Sequence, residues 1–219
     1  MKYKDRVLRI SCDGGAATGK STGGKLISKK YNLKFLSSGL LYRYAAYLIL
    51  KFKPKNKIIF LKKKFNSLSL KKLNMLNLHT QTISEYSAVI AKIYEIRKIL
   101  KKYQTNFAKK NKNCCIEGRD IGTVIMKNAD IKFFFTCNLN TASKRRFNEL
   151  RKKNPKLKFK EVKKAMRIRN NLDRLRTISP LIKPKNAVIV PTDKLKNIKG
   201  MIKRMSKFVD IELTKKYGN

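Results

Sequence analysis

Apolar positions along the chain switch between short continuous runs and stripes at helical spacing. Residues 6–12, 33–36, 114–117, 131–137 and 187–190 are short runs rich in β-branched, aromatic or sulfur-bearing side chains, and they are predicted strands. Phe133-Phe134-Phe135 interrupts no run with a polar residue, which suits a central strand buried on both faces. Between these runs the period lengthens. Helices are predicted over 20–30, 40–50, 82–110, 141–151, 160–173 and 195–216. Ile83, Ile90, Ile93, Ile96 and Leu100 carry the stripe of the third, with a break near Tyr94. Ser37-Ser38-Gly39 reads as a turn, and 152–159, with Asn154-Pro155, as a loop. Residues 51–78 say least. They are rich in Lys and Asn with one apolar patch, Ile58-Ile59-Phe60-Leu61, and read either as a linker or as a small strand-bearing insert. Strands that alternate with helices imply an α/β fold with a parallel sheet covered by helices on both faces. No internal repeat is visible.

Composition narrows the class. The 219 residues are 42% hydrophobic, enough for one sizeable α/β domain with a small insert. The formal charge of +42 invites a polyanion partner. However, Lys is spread along the whole chain beside abundant Asn, Ile, Tyr and Phe, as in the coding bias of an AT-rich genome. Most of the charge is therefore read as surface. Cys12, Cys114, Cys115 and Cys137 form no C-x-x-C spacing, and three lie in or beside apolar runs, so reduced core thiols in a cytoplasmic protein are expected. No signal peptide is seen, and the run at 40–50 is broken by Arg43 and too short to span a bilayer.

The chemistry begins at Gly14-Gly15-Ala16-Ala17-Thr18-Gly19-Lys20-Ser21-Thr22, which fits G-x-x-x-x-G-K-[ST] between a predicted strand and a predicted helix. Glycines let the chain wrap an anion, and backbone N–H groups at a helix N-terminus then point at phosphate oxygens. Lys20, read as an exposed loop residue, would bridge the β- and γ-phosphates of a nucleotide, and Ser21 would hold Mg²⁺. An ordinary Gly-rich turn is the alternative, but strand, loop and helix are in register. Gly23 and Gly24, in the first turns of that helix, cost about 1 kcal/mol each relative to Ala, and close packing on the sheet is the reason open to them.

Downstream lie further charged groups. Ser38 and Arg43 flank a helix start that also holds Tyr42. Arg119-Asp120 follows a strand, at the end where open α/β sheets bind ligands. Arg169, Asp173 and Arg176 are spaced to share one helical face, where an intrahelical salt bridge is the bland reading. For Arg145 and Arg146 the bland reading is a solvated face. His79, the single histidine, is expected to be incidental, which excludes His-based nucleophilic catalysis.

Taken together these runs resemble bacterial cytidylate kinase, a phosphate-loop nucleoside monophosphate kinase. The matching stretches are Asp13-Gly14 through Thr22, Ser38-Gly39-Leu40-Leu41-Tyr42-Arg43, Thr80-Gln81-Thr82-Ile83-Ser84 and Glu95-Ile96-Arg97. Gly118-Arg119-Asp120-Ile121-Gly122-Thr123-Val124-Ile125 is the most specific, and Arg169 through Asp173 with Arg176 to Leu181 closes the set. The resemblance implies a kinase core at 1–51 and 111–219 with a lid at about 150–176, and a shortened monophosphate-binding insert at 52–110. It implies phosphoryl transfer from ATP, with Mg²⁺, to CMP and dCMP, in a cytoplasmic monomer without membrane or nucleic-acid partners. A kinase for another monophosphate and a basic nucleic-acid-binding protein are the rival readings. By resemblance Ser38, Tyr42, Arg43, Arg119 and Arg169 belong to the CMP site, most of them on its phosphate. Arg97 and Asp120 match positions that read cytosine, although Asp120 could instead pair with an arginine such as Arg119. Asp173 matches the residue on the sugar hydroxyls. Arg176, with Arg145 or Arg146, matches arginines near the transferring phosphate. The chain departs from the family's pattern at Ser37 and Asn170, where Asp is usual, at His79, where Arg is usual, and at Ala88, which replaces a base-contacting Ser, although Ser87 is adjacent.

Overall fold

A computed structural model describes residues 6–218 apart from 153 and 196, with backbone alone at 72 and 74. The predicted loop and last helix therefore each include one position outside the described residues. Five strands form one sheet: β1 (Arg9–Gly14), β2 (Lys34–Ser37), β3 (Cys114–Gly118), β4 (Ile131–Thr136) and β5 (Val188–Pro191), in the order β2-β3-β1-β4-β5. β1 pairs in parallel with β3 and β4, and β4 with β5. Parallel neighbours need crossovers, and helices supply them. The order also makes β1 the strand at which the winding reverses, so that its carboxyl end opens into the crevice where such sheets bind ligands.

The compact units are Leu36–Lys110 and the remainder of the described chain. In the larger unit, α1 (Lys20–Lys30) and α9 (Ile198–Tyr217) cover one face of the sheet. Alternation along β1 sends Ile10 and Cys12 into that core, with Ile27, Phe133, Phe135, Val190, Met205 and Val209, all fully buried. Ser11 and Asp13 point to the other face and are buried as well. β4 is less enclosed than its apolar run suggests. Phe133 and Phe135 are buried, but Phe134 on the opposite face is only partly covered. A second, smaller core joins α7 (Leu139–Arg151) to α8 (Phe159–Leu175) through Ala142, Val162 and Met166. All four cysteines are free thiols, three of them fully buried.

The glycines of α1 have a packing cause. A Cβ on Gly23 would stand 2.8 Å from two ring carbons of Phe135, and one on Gly24 2.9 Å from Phe35. Gly200, near the start of α9, has nothing nearer than the side chain of Asn197 at 3.7 Å. The same substitution therefore takes opposite signs. Gly23→Ala forces Phe135 to move in a filled core and should destabilise by about 1–3 kcal/mol. Gly200→Ala should stabilise by about 0.4–1 kcal/mol. Thermal melts check this, with shifts of about 2–4 °C per kcal/mol at this chain length. A rise in melting temperature for Gly23→Ala would remove the packing explanation.

The smaller unit is helical. α2 (Ser38–Phe52), α3 (Lys57–Asn66), α4 (Leu70–Met75), α5 (Gln81–Ile90) and α6 (Tyr94–Lys110) account for most of it. Residues 51–78 are thus neither linker nor strand. Asn56 caps α3 by accepting from Ile58 N at 3.1 Å and Ile59 N at 3.0 Å, and Leu61 and Phe65, four apart, are its buried stripe. Phe65 meets the rings of Tyr44 and Tyr103 edge-on at 5.7 and 5.9 Å. The break predicted near Tyr94 separates α5 from α6. Ser37 ends β2 and caps α2, its hydroxyl accepting from Leu40 N at 3.3 Å. Ser in place of Asp keeps that cap.

Candidate active site

The phosphate loop runs from the end of β1 into α1. Ala17 and Gly19 take positive φ, 54° and 83°, which turns successive amides into a concave nest. Thr18 donates to Gly15 O at 3.0 Å, closing the loop on itself. Thr192, just past β5, donates to Thr18 O at 2.9 Å and so fixes the loop from a second strand. Lys20 opens the helix. It is buried, not exposed as expected: its ammonium donates to Gly15 O at 3.2 Å and lies 3.7 Å from the Glu117 carboxylate at the end of β3. Burial, reinforced by the charge of Arg119, pulls its pKa down to about 7.

Next to the loop stands an ionic cluster built from the β3 end and α8. Arg119 Nε donates to Asp173 at 2.7 Å. Arg176, which caps α8 rather than lying within it, is 3.7 Å from Asp173 and 3.9 Å from Asp120, and donates to Ser179 O at 2.6 Å. Burial alone would raise the pKa of Asp173, but the charge and hydrogen bond of Arg119, with the charges of Arg169 and Arg176, together hold the carboxyl below its ordinary value. The charge of Arg169, one turn earlier, acts on both Asp173 and Lys20. So the intrahelical pair at 173 and 176 is one edge of a larger network, and Asp120 faces Arg176, while Arg119 is held by Asp173. Asn170 reaches the loop itself: its carbonyl oxygen accepts from Ala16 N at 3.3 Å.

Arg145 and Arg146 part company. Arg145 donates to the Thr192 hydroxyl and carbonyl, both at 2.9 Å, and through Thr192 is joined to the loop. Arg146 pairs with Glu149 at 2.8 Å along α7. In the smaller unit Ser38 is buried in the first turn of α2. The Arg97 guanidinium lies 5.7 Å over the Tyr42 ring and donates to Ala91 O at 3.2 Å. Arg43 meets His79 Nδ1 at 2.6 Å. Ser87 donates to Ser84 O at 2.7 Å, a bond within α5 that uses the hydroxyl beside Ala88.

Sequence reasoning overlooked two buried acids. Glu117 ends an apolar strand, and Asp13 stands directly before the phosphate loop. Burial raises the Asp13 pKa to about 7 against the pull of two backbone donors, Gly122 N and Ile121 N. An acid inside or ending an otherwise apolar strand was the available signal.

A family model for cytidylate kinase matches residues 10–210. Proteins named cytidylate kinase are 35% identical over 193 residues in Rickettsia canadensis, covering 86% of each chain, and 37% over 191 in Bartonella tribocorum, covering 85% of this chain and 87% of that one. Among solved structures, shikimate kinase from Bacteroides thetaiotaomicron superposes with a TM-score of 0.51 at 14% identity, over 93% of this chain and 98% of that one. That likeness is one of fold.

Proposed function

The chain belongs to the cytidylate kinase family, and from that premise we propose that it transfers the γ-phosphoryl group of ATP to CMP, and to dCMP, giving ADP and CDP or dCDP. The observation that carries the reading is the junction of the phosphate loop with the arginine cluster: Asn170 on Ala16 N, Lys20 beside Glu117, and Arg119 and Arg176 around Asp173. A transferring phosphoryl carries its charge on oxygens, so catalysis consists of positioning and charge stabilisation. Loop amides and Lys20 hold the ATP phosphates. Arg176, with Arg145 as the partner already joined to the loop, balances charge on the moving group. Ser38, Tyr42, Arg43, Arg119 and Arg169 hold CMP, Asp173 its sugar, and Arg97 and Asp120 its base. Arg146 is the weaker candidate for the transferring group, because it already has Glu149.

Mg²⁺ is part of the proposal. The residues fit it: Ser21 is exposed in the first turn of α1, next to Lys20, and no group of three or more His, Cys, Asp or Glu among the described residues forms a cage of its own. An ion carried largely by nucleotide phosphates and water asks for no more than such a hydroxyl. When bound it neutralises phosphate charge. No helix among the described residues is long and apolar enough to cross a membrane, and we place the enzyme in the cytoplasm as a monomer.

The test is ADP release measured with CMP, dCMP, UMP and AMP in turn. The reading predicts turnover with the cytidine nucleotides. ADP formation that does not depend on CMP, or that prefers another monophosphate, overturns it. A pH dependence follows from Lys20. Its pKa of about 7 in the free enzyme means that the ammonium deprotonates as pH rises through that value. ATP phosphates favour the charged form, so ATP affinity should fall by about tenfold per pH unit above roughly 7, with proton uptake on binding. Calorimetry in buffers of different ionisation enthalpy reads the proton directly. Lys20→Arg, which does not deprotonate, should flatten the slope.

A further inference from the structure

Asp13 has no role in the proposed phosphate, base or sugar contacts, yet it is buried to 0% exposure at the carboxyl end of the central strand. Both of its oxygens are taken. Oδ1 accepts from Ile121 N at 2.8 Å and Oδ2 from Gly122 N at 2.7 Å. Those two amides open a single π-turn, Ile121–Ile125, closed by Met126 N on Ile121 O at 2.7 Å. Such turns are rare and often mark functional positions. The residue at the turn's N-cap is Asp120, and its side chain makes no cap bond. That is unusual, since an Asp at this position ordinarily spends its carboxylate on the first free amides. Here a different strand supplies the acceptor, and the Asp120 carboxylate is turned to Arg176 instead. The close approach is built in. A Cβ on Gly122 would meet Ser11 Oγ at 2.8 Å, Pro184 Cγ at 2.8 Å and Asp13 Oδ2 at 3.2 Å.

We propose that Asp13 is a positioning residue for acceptor choice: by capping the π-turn in place of Asp120, it keeps the Asp120 carboxylate available to the base of the acceptor nucleotide. Asp13 immediately precedes Gly14, so the strand end that launches the phosphate loop also fixes the loop that reads the acceptor. The inference rests on the proposed role of Asp120.

Asp13→Asn is nearly isosteric but presents an NH₂ to one of the two amides. One donor then loses its acceptor, and Asp120, at the N-cap of the turn, is placed to replace it. The expected result is a fall of about tenfold in the CMP/UMP ratio of kcat/KM, carried by KM for CMP, with KM for ATP changed by less than about threefold. Equal losses for CMP and UMP would reduce Asp13 to a purely structural part and overturn the proposal. Asp13→Ser, which keeps one acceptor without the buried charge, serves if the Asn variant does not fold. Amide exchange on the wild type gives an independent reading. Ile121 and Gly122 N–H should be among the slowest in the protein, and fast exchange at both would mean that the clamp does not exist. Asp120→Asn separates the two readings. If that variant leaves the CMP/UMP ratio unchanged, base reading by Asp120 fails. If it changes the ratio and Asp13→Asn does not, the positioning role alone fails.

Discussion

Lys20→Ala is expected to lower kcat by about 10²–10³, the typical cost of one preorganised donor to developing charge, while the protein stays folded. The stability half of this expectation comes from burial. In the free enzyme Lys20 is held where its charged form is disfavoured, with its pKa lowered to about 7. The unfolded chain, with an ordinary lysine, binds the proton more readily between about pH 7 and 10.5, so the group weakens the fold as pH drops through that window. Alanine removes that penalty along with the ammonium. The variant should therefore melt no lower than wild type at pH 7.5 and yet turn over poorly. Ammonium at 3.7 Å from Glu117 offsets part of the burial cost, which sets a modest limit on any gain. A thermal melt and the coupled assay on one preparation check both halves. Near-normal turnover would remove the loop lysine from the chemistry.

The second large effect is base choice. Cytosine offers an N4 amino donor with N3 and O2 as acceptors, which suits a carboxylate at Asp120 and a guanidinium at Arg97. Uracil offers an O4 acceptor and an N3–H donor. Asp120 would then face an oxygen and Arg97 a hydrogen. Each mismatch costs about 1–3 kcal/mol, and two correspond to a CMP/UMP ratio in kcat/KM on the order of 10²–10⁴. Asp120 and Arg97 are both buried, each less than 10% exposed, which strengthens the penalty for an unpaired group. Asp120→Asn should shrink the ratio, because an amide can donate to O4. Kinetics with both acceptors in wild type and variant decide it. An unchanged ratio would leave the Asp120 carboxylate a structural role, such as its pairing with Arg176.

Much of the fold was legible because its signals are local. The strand-loop-helix around Lys20 carries its own punctuation, and α1 spans the predicted residues 20–30. Residues 51–78 were not legible as helices because Lys and Asn hide the pattern. The cap at Asn56 and the pair Leu61 and Phe65 were the clues to α3. The π-turn has no sequence signature of its own. It depends on Asp13, 108 positions away from Ile121 in the chain, for the acceptors of its opening amides. The same holds for Lys20: only the packed structure reveals that the loop lysine is buried beside Glu117. The ion pairs of Asp173 divide the same way, since Arg176 is three residues off and readable, whereas Arg119 is 54 positions distant.

The paired glycines of α1 bear on how the chain comes to bind anything at all. Two glycines in eleven residues make this a segment that would not hold a helix by itself, since nucleation is unfavourable and each glycine costs about 1 kcal/mol more. Its order comes from seating against Phe135 and Phe35, side chains of strands that are far apart in sequence and meet only when the sheet is assembled. The amides at the N-terminus of α1 are thus aimed only after long-range pairing is complete. Nucleotide binding then depends on the assembled sheet and not on the motif alone. A chain caught part-way, with its local helices formed and its sheet open, carries the full phosphate-loop motif and holds no phosphate.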